Sequence, residues 1–158
     1  MRAEAAWVGR GNAVPHDPGP RANTGTFTPE EGRLDHFIHR DGMVFAGTHL
    51  IVDFFDAQEL DNLELMETAM RRAVKVSGAT LLHIHLHHFT PNGGISGVAV
   101  LAESHISVHT WPECGYAAFD IFMCGDAKPE LGVEALRKTF APKRHEVAEH
   151  RRGVIDDA

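Results

Sequence analysis

The sequence predicts an α+β fold: a two-layer sandwich in which a mainly antiparallel sheet carries two helices packed on one face. Three observations support this prediction. Runs rich in β-branched and aromatic residues recur after residue 42, two segments between them place apolar residues at helical spacing, and the links between the central runs are of hairpin length. Hairpin links make neighbouring strands antiparallel, and two amphipathic helices bury their apolar stripes most simply against one sheet face.

The first half of the predicted domain contains a strand, a helix and a second strand. MVFAGTHLIVDFF, from Met43, has the dense β-forming composition of a buried strand. The next segment carries an apolar helical stripe, with Asp56 as the expected N-cap and Gly78 as the expected C-terminal stop. TLLHIHLHHF then alternates: one face holds Leu82, Ile84 and Leu86, and the other holds His83, His85, His87 and Phe89.

The second half contains two more strands, a helix and an edge strand. The turn TPNGG leads into ISGVAVLAESHISVHTW and then YAAFDIFMC, both rich in β-forming residues. GDAKPELGVEALRKTF has the pattern of a helix, with Asp126 as the expected cap and Pro129 in the first turn. The alternating HEVAEH is expected to form a short edge strand.

Residues 1–42 are expected to form a flexible N-terminal extension, because they are crowded with Gly, Pro, Asn and Asp and show no sustained hydrophobic period. Residues 43–158 are expected to form one domain. A chain of 158 residues, 43% of them hydrophobic, can bury a single core and is too short for two comfortable domains.

Composition excludes several classes of function. The chain has 15 Lys and Arg against 22 Asp and Glu, a net charge of −7, which argues against a general affinity for nucleic acid. Two cysteines are too few for a disulfide framework and fit reduced thiols. Because no run has the length of a signal-peptide core or a membrane span, the sequence predicts a cytoplasmic protein with no membrane partner.

The segment VLAESHISVHTWPE, residues 100–113, combines apolar strand residues with many polar ones. Glu103, Ser104, Ser107 and His109 fall within or beside a run that otherwise has the composition of a core strand. An unpaired buried polar group costs about 1–3 kcal/mol, so these side chains need partners. The segment therefore predicts a polar network, a functional site or both, although the residues alone do not choose between Ser104 and Ser107.

Three other features allow more than one interpretation. The histidines 83, 85 and 87 are spaced to chelate a metal, but without a partner carboxylate or cysteine at a motif spacing they favour a polar sheet surface and no metal site. Cys124 is either an inert buried thiol or a nucleophile paired with His109, as in a thiol hydrolase. Glu113 is either a solvated turn carboxylate or an anchor for a ligand hydroxyl.

The stretch GGISGVAVLAESHISVHTWPECGYAAFDIFMCG, residues 93–125, resembles the core of the pyruvoyl-dependent S-adenosylmethionine decarboxylases of bacteria and archaea. The resemblance extends from about Gly47 to HEVAEHRRG near the C-terminus. It implies that the chain cuts itself between Glu103 and Ser104 and converts Ser104 into a covalent pyruvoyl group. That group would form a Schiff base with the substrate, so no pyridoxal phosphate is required.

The resemblance also implies roles for individual residues. Ser96 would support the oxyanion of self-cleavage, His109 would remove the α-proton of Ser104, and Cys124 would donate a proton to the decarboxylated substrate. Phe89 and His109 would flank the adenine, and Glu113 would bind the ribose hydroxyls. The implied protein is a homodimer of cleaved protomers with active sites near the interface.

The implied reaction converts S-adenosylmethionine to carbon dioxide and decarboxylated S-adenosylmethionine, the aminopropyl donor for spermidine biosynthesis. One alternative keeps the pyruvoyl chemistry and takes arginine or ornithine as substrate. A second, from a different class, is a His-rich metal-binding or regulatory protein without self-cleavage.

Overall fold

Antiparallel pairing joins every strand that the structure, a computed structural model, describes within residues 36–155. The strands are β1 (Ile38–Arg40), β2 (Met43–Phe55), β3 (Leu81–His88), β4 (Ile95–Leu101), β5 (Ser104–Trp111), β6 (Tyr116–Met123) and β7 (Arg144–Ile155). The helices are α1 (Leu63–Val76) and α2 (Pro129–Phe140), and a short 3₁₀ turn covers Pro112–Cys114. The predicted α+β class with a mainly antiparallel sheet is confirmed.

The strands lie side by side in the order β7, β2, β6, β5, β4 and β3. β2 pairs with β7 along one edge from Val44 to Phe55, and its other edge is shared between β1 at residues 43–45 and β6 at residues 48–54. β1 therefore extends the line of β6. The predicted edge strand HEVAEH is confirmed in place but is longer than expected, because β7 follows β2 almost throughout.

The helices cover one face of the sheet, and the core lies between the two layers. Alternate residues of the central strands point into it, and α1 and α2 add their apolar stripes, as the helical spacing predicted. The largest of these buried side chains are Phe54, Phe119, Phe140, Met66 and Met70. Neither helix is long and apolar enough to cross a membrane.

Both predicted N-caps are wrong, whereas Gly78 does follow the end of α1, with φ of 77°. Asn62, and not Asp56, caps α1, because its side-chain oxygen accepts a hydrogen bond from the amide of Leu65 at 3.0 Å. Asp56 instead lies in a turn with φ of 52°, and the next amide, that of Ala57, donates to the carbonyl of Gly115. α2 begins at Pro129, as expected, but follows Lys128 rather than Asp126 and has no side-chain cap.

A shift of register in β3 corrects the predicted alternation. The pairing of β3 with β4 is interrupted between Leu81 and His83, and Leu82 is 64% exposed. Because of this bulge, Leu82 does not share the core face with Ile84 and Leu86, which pack against the core.

The ordered domain begins earlier than the sequence predicted. Residues 38–40 of the predicted extension form β1, which pairs with the start of β2. The expected flexibility of the rest of the extension, up to residue 35, concerns residues outside those described.

Gly97 allows β3 and β4 to approach closely. A Cβ at this position would collide with the backbone oxygen of His85 and would lie 2.8 Å from the Cα of Leu86. We expect Gly97→Ala to lower the free energy of unfolding by about 1–3 kcal/mol, because the strands must separate to make room. Urea denaturation measures this, with Leu82→Ala as a control on the neighbouring strand β3, since that side chain is 64% exposed. Equal losses in the two variants would contradict the prediction.

Candidate functional site

The connection between β4 and β5 is a two-residue turn that contains Glu103. Leu101 pairs with Ser104 across the hairpin, which leaves Ala102 and Glu103 as the turn residues. Glu103 has φ of 61°, a left-handed conformation that costs a residue with a Cβ about 1–2 kcal/mol. The bond between Glu103 and Ser104 therefore lies at a strained point of the backbone.

Cys124, which follows β6, contacts both residues of that bond. Its amide donates a hydrogen bond to Oγ of Ser104 at 3.2 Å, and its Sγ donates to the carbonyl oxygen of Glu103, also at 3.2 Å. The pairing of β5 with β6 brings them together, since His105 lies opposite Phe122. The thiol is thus next to the carbonyl group that a neighbouring hydroxyl would attack.

The environment of Cys124 keeps the thiol protonated. Burial raises its pKa, and the negative charge of Glu103 raises it further, while the hydrogen bond to Ser104 lowers it. A neutral thiol is a weak nucleophile and a usable proton donor. This environment does not suit the thiol hydrolase considered above, and His109 does not lie beside Cys124 to activate it.

A cavity of about 290 Å³ opens beside the strained bond. Its walls come from the β4–β5 turn, the segment after α1 and the segment after β6. They are formed by His36, Gly78, Ala79, Thr80, Ala102, Glu103, Ser104, Cys124, Gly125, Asp126 and Ala127.

A second cluster of predicted residues lies at the other end of β4 and β5. Ser96 and His109 are cross-strand partners, and Oγ of Ser96 is 2.9 Å from Nδ1 of His109. A cavity of about 230 Å³ is lined here by Phe89, Asn92, Gly94, Ser96, His109, Thr110, Trp111 and Glu113. The structure thus brings together four of the predicted residues: Ser96, Phe89, His109 and Glu113.

Thr110 fixes the floor of this second cavity. Its buried hydroxyl accepts a hydrogen bond from the amide of Ile95 at 2.8 Å and donates one to the carbonyl of Leu60 at 2.9 Å. These bonds tie β5 to the start of β4 and to the loop before α1. Thr110 therefore fixes the backbone of β5 next to His109 and Trp111, whose rings line the cavity.

Sequence reasoning missed Trp111 as a residue of this cavity. Its ring lies 6.4 Å from that of His109, centroid to centroid, and 5.2 Å from that of Tyr116. The alternation of β5 was a usable signal, because Trp111 follows His109 by two residues and must share its sheet face.

The two clusters are far apart within one chain. Ser104 and His109 are separated by five positions of β5, which at the rise of an extended strand is about 17 Å. The seven predicted site residues therefore fall into two groups: Glu103, Ser104 and Cys124 at one end of the strand, and Phe89, Ser96, His109 and Glu113 at the other.

The sheet face opposite the helices is not covered by any described element and carries polar groups between apolar ones. Nε2 of His49 is 3.2 Å from Oδ1 of Asp120, and the hydroxyl of Tyr116 donates to Asp53 at 2.5 Å. Burial and the bond to Asp53 raise the pKa of Tyr116 to about 12. Burial and the nearby His49 lower the pKa of His105, against a smaller opposing effect of Asp120. We call this surface the open face.

The three alternating histidines of β3 line the outer part of the open face. They pair with Val100, Val98 and Ser96 respectively, and the ring of His87 meets that of Phe89 edge to face at 4.4 Å. Within residues 36–155, no three His, Cys, Asp or Glu side chains are grouped as they would be to hold a metal ion. The observed contact of His87 is with a wall of the second cavity.

Known proteins are similar to this chain over most of the described domain. The sequence profile of the S-adenosylmethionine decarboxylase family matches residues 48–153. The S-adenosylmethionine decarboxylase proenzyme of Thermomicrobium roseum is 46% identical over 116 residues, covering 73% of this chain and 100% of that protein. The proenzyme of Methanococcus maripaludis is 46% identical over 114 residues, covering 70% and 93% of the two chains.

A solved structure supports the same grouping. The crystal structure of the adenosylmethionine decarboxylase from Aquifex aeolicus superposes with a TM-score of 0.67 at 32% identity, covering 72% of this chain and 96% of that one.

The raised pKa of Cys124 predicts slow alkylation at neutral pH. We expect the iodoacetamide rate at Cys124 to rise at a higher pH in the folded chain than in the same chain unfolded in urea, because burial disfavours the thiolate. Peptide mass spectrometry of a Cys114→Ala, Ser104→Ala chain measures it. Ser104→Ala keeps the bond intact and removes the contact that lowers the pKa, so a folded-state midpoint at or below the unfolded one would contradict the prediction.

Proposed function

Because this chain belongs to the S-adenosylmethionine decarboxylase family, we propose that it is a proenzyme that cuts itself between Glu103 and Ser104 and then decarboxylates S-adenosylmethionine. The observation that carries the proposal is the strained Glu103–Ser104 bond with Cys124 hydrogen-bonded to both of its residues. The second cavity, with its aromatic walls and a carboxylate, is the proposed site for the adenosyl group.

The first step of self-cleavage is an N-to-O acyl shift. Oγ of Ser104 forms a bond to the carbonyl carbon of Glu103, the peptide C–N bond breaks, and the hydroxyl proton passes to the released amine. Negative charge develops on the oxygen of Glu103, so a donor at that oxygen lowers the barrier. The thiol of Cys124 lies 3.2 Å from it in this chain.

The second step is an elimination that needs a base. Removal of the α-proton of Ser104 expels the carboxylate of Glu103 from the ester and leaves dehydroalanine, with Glu103 as the new C-terminus. Water then adds, ammonia leaves, and a pyruvoyl group remains at position 104. His109 is the proposed base, and Ser96, which contacts it at 2.9 Å, is proposed to support the oxyanion.

The surroundings of Ser104 fit a pyruvoyl group. Ser104 begins β5, so cleavage leaves it as a chain end beside the 290 Å³ cavity. The keto group would supply an electrophilic carbon for the substrate amine and a sink for the electron pair released with carbon dioxide, without pyridoxal phosphate. Cys124 holds its proton close to this position, as a group that must reprotonate carbon requires.

The second cavity suits a nucleoside with a positive charge nearby. Phe89 and His109 offer flat rings on which adenine can stack, and Trp111 extends this aromatic surface. A sulfonium next to these rings is favoured by their negative faces. Glu113, in the turn after β5, is proposed to accept hydrogen bonds from the ribose hydroxyls.

The separation of the two clusters requires a second chain. A base acts within hydrogen-bond reach of the proton that it removes, and about 17 Å along β5 is far outside that reach. We therefore propose a homodimer in which His109, Ser96 and the adenosyl cavity of one protomer serve Ser104 of its partner.

The open face is the surface proposed to meet the partner. It presents exposed apolar side chains at Ile51, Val100 and Trp111, each at least 40% exposed. An apolar sheet face gains stability when another layer covers it. The aromatic wall of the adenosyl cavity is continuous with this face, since Trp111 belongs to both.

Intact mass tests the cleavage. Purified protein is expected as two fragments, residues 1–103 and 104–158, with the second lighter than the plain hydrolysis product by one ammonia. Ser104→Ala should stay whole because it has no attacking hydroxyl, while Ser107→Ala should still be cut. A wild-type chain that stays intact after prolonged incubation would refute the proposed function.

Release of labelled carbon dioxide tests the substrate. We expect turnover of carboxyl-labelled S-adenosylmethionine and none of arginine or ornithine, because neither offers an adenine for Phe89 and His109. Glu113→Gln should raise KM more than it lowers kcat. If only arginine or ornithine is turned over by cleaved enzyme, the pyruvoyl chemistry stands and the adenosyl assignment fails.

Co-expression tests the shared site. Separately tagged Ser104→Ala and His109→Ala chains should both stay whole alone, whereas in mixed dimers the His109→Ala chain should be cut, because its Ser104 meets the partner's His109. A mixed dimer, verified by both tags, in which neither chain is cut would contradict the proposed arrangement.

A further inference from the structure

His36 connects the two segments that enclose the cleavage bond. Its Nδ1 lies 2.9 Å from Oε2 of Glu103, and its backbone oxygen accepts a hydrogen bond from the amide of Gly125 at 2.9 Å. Glu103 precedes the scissile bond and Gly125 follows Cys124. One residue thus holds the turn that is cut and the segment that carries the thiol.

His36 lies outside the residues that the family profile matches. The family profile begins at residue 48, whereas His36 stands just before β1, and β1 continues the line of β6 beyond Met123. The pairing of β1 with the start of β2 therefore delivers His36 to the end of β6, where Cys124 and Gly125 leave the sheet.

The contact acts on a residue whose conformation needs support. Glu103 has φ of 61°, where a side chain is disfavoured, and its carbonyl must stay beside Oγ of Ser104 and Sγ of Cys124 for the acyl shift. The pair is half-exposed, with side chains 58% and 51% accessible, so it adds little to overall stability. Its effect is to restrict the position of Glu103.

We propose that His36 is a positioning residue for self-cleavage: it holds the carboxylate of Glu103 and the backbone of Gly125, and so keeps the Glu103 carbonyl against Cys124. This inference rests on the proposed function. It assigns a role in maturation to a residue that precedes the part of the chain matched by the family profile.

The rate of self-cleavage tests this role. In cell-free synthesis of the full chain, followed by pulse and chase, His36→Ala is expected to slow cleavage by about threefold to tenfold, which lies within the range for loss of one typical hydrogen bond. His36→Asn should restore most of the rate, because its amide can donate from a position near that of Nδ1. His39→Ala, exposed on β1 and paired with Val44, is the matched control and should cleave as wild type.

Two further measurements separate positioning from a structural role. The rate losses of His36→Ala and Glu103→Ala should not add in the double variant, because each removes the same contact. The urea midpoint of His36→Ala should equal that of His39→Ala, because the half-exposed pair adds little to stability.

Each contrary result has a definite meaning. Four results would overturn the role of His36 and leave the proposed function intact: a wild-type cleavage rate in His36→Ala, failure of His36→Asn to restore the rate, additive losses in the double variant, or a urea midpoint of His36→Ala below that of His39→Ala. A wild-type chain that is never cut would overturn both.

Discussion

The two-residue turn between β4 and β5 holds Glu103 at positive φ, and the strands around it must keep it there. Left alone, such a turn would relax, because the conformation costs about 1–2 kcal/mol for a residue with a Cβ. β4 and β5 pair throughout their lengths, and their neighbours β3 and β6 continue the ladder on both sides. The pairing register is fixed, with Leu101 opposite Ser104. A shift of the register by one residue would move every core side chain of β5 to the open face. The strain is therefore maintained by the whole sheet, and its site is the bond that the proposed chemistry breaks.

The same alternation that builds the core also builds the open face. Along β5, Ile106 and Val108 enter the core beneath the helices, and the residues that alternate with them, His105 and Ser107, point the other way. Because both helices lie on the other face of the sheet, no described element covers these outward-pointing side chains. On this face several polar groups bond to one another within the sheet, as the Tyr116–Asp53 and His49–Asp120 contacts illustrate. When polar groups are already hydrogen-bonded to one another, a partner can bury them without leaving a hydrogen-bond donor unpaired. A dimer interface needs this property.

The sequence predicted the layers better than the ends of the elements. Hydrophobic period identified both helices and the β-rich runs, because burial imposes that period directly. It did not show that ISGVAVLAESHISVHTW forms two strands, β4 and β5, joined by a turn at Ala102 and Glu103. The cap of α1 could not be predicted, since Asp56 and Asn62 are both good acceptors and the choice depends on a distant bond between Ala57 and Gly115. Nor did the residues choose between the two serines of β5. The structure separates them: Ser107 lies 3.4 Å from Asp120 on the open face, and Ser104 stands at the turn beside Cys124.

The sequence alone could have predicted that the proposed site is divided between the two ends of β5, because five strand positions imply a distance of about 17 Å. The family resemblance assigned all these residues to one site and so did not suggest that division. The division also has a chemical consequence. A single chain holds Ser104 and Cys124 in contact, so it is equipped for the reversible acyl shift. The base proposed for the irreversible elimination, His109, lies about 17 Å along β5 from the Ser104 of its own chain. Association would supply that base through His109 of the second protomer. Cleavage would then follow assembly, and each pyruvoyl group would form only where an adenosyl cavity already faces it.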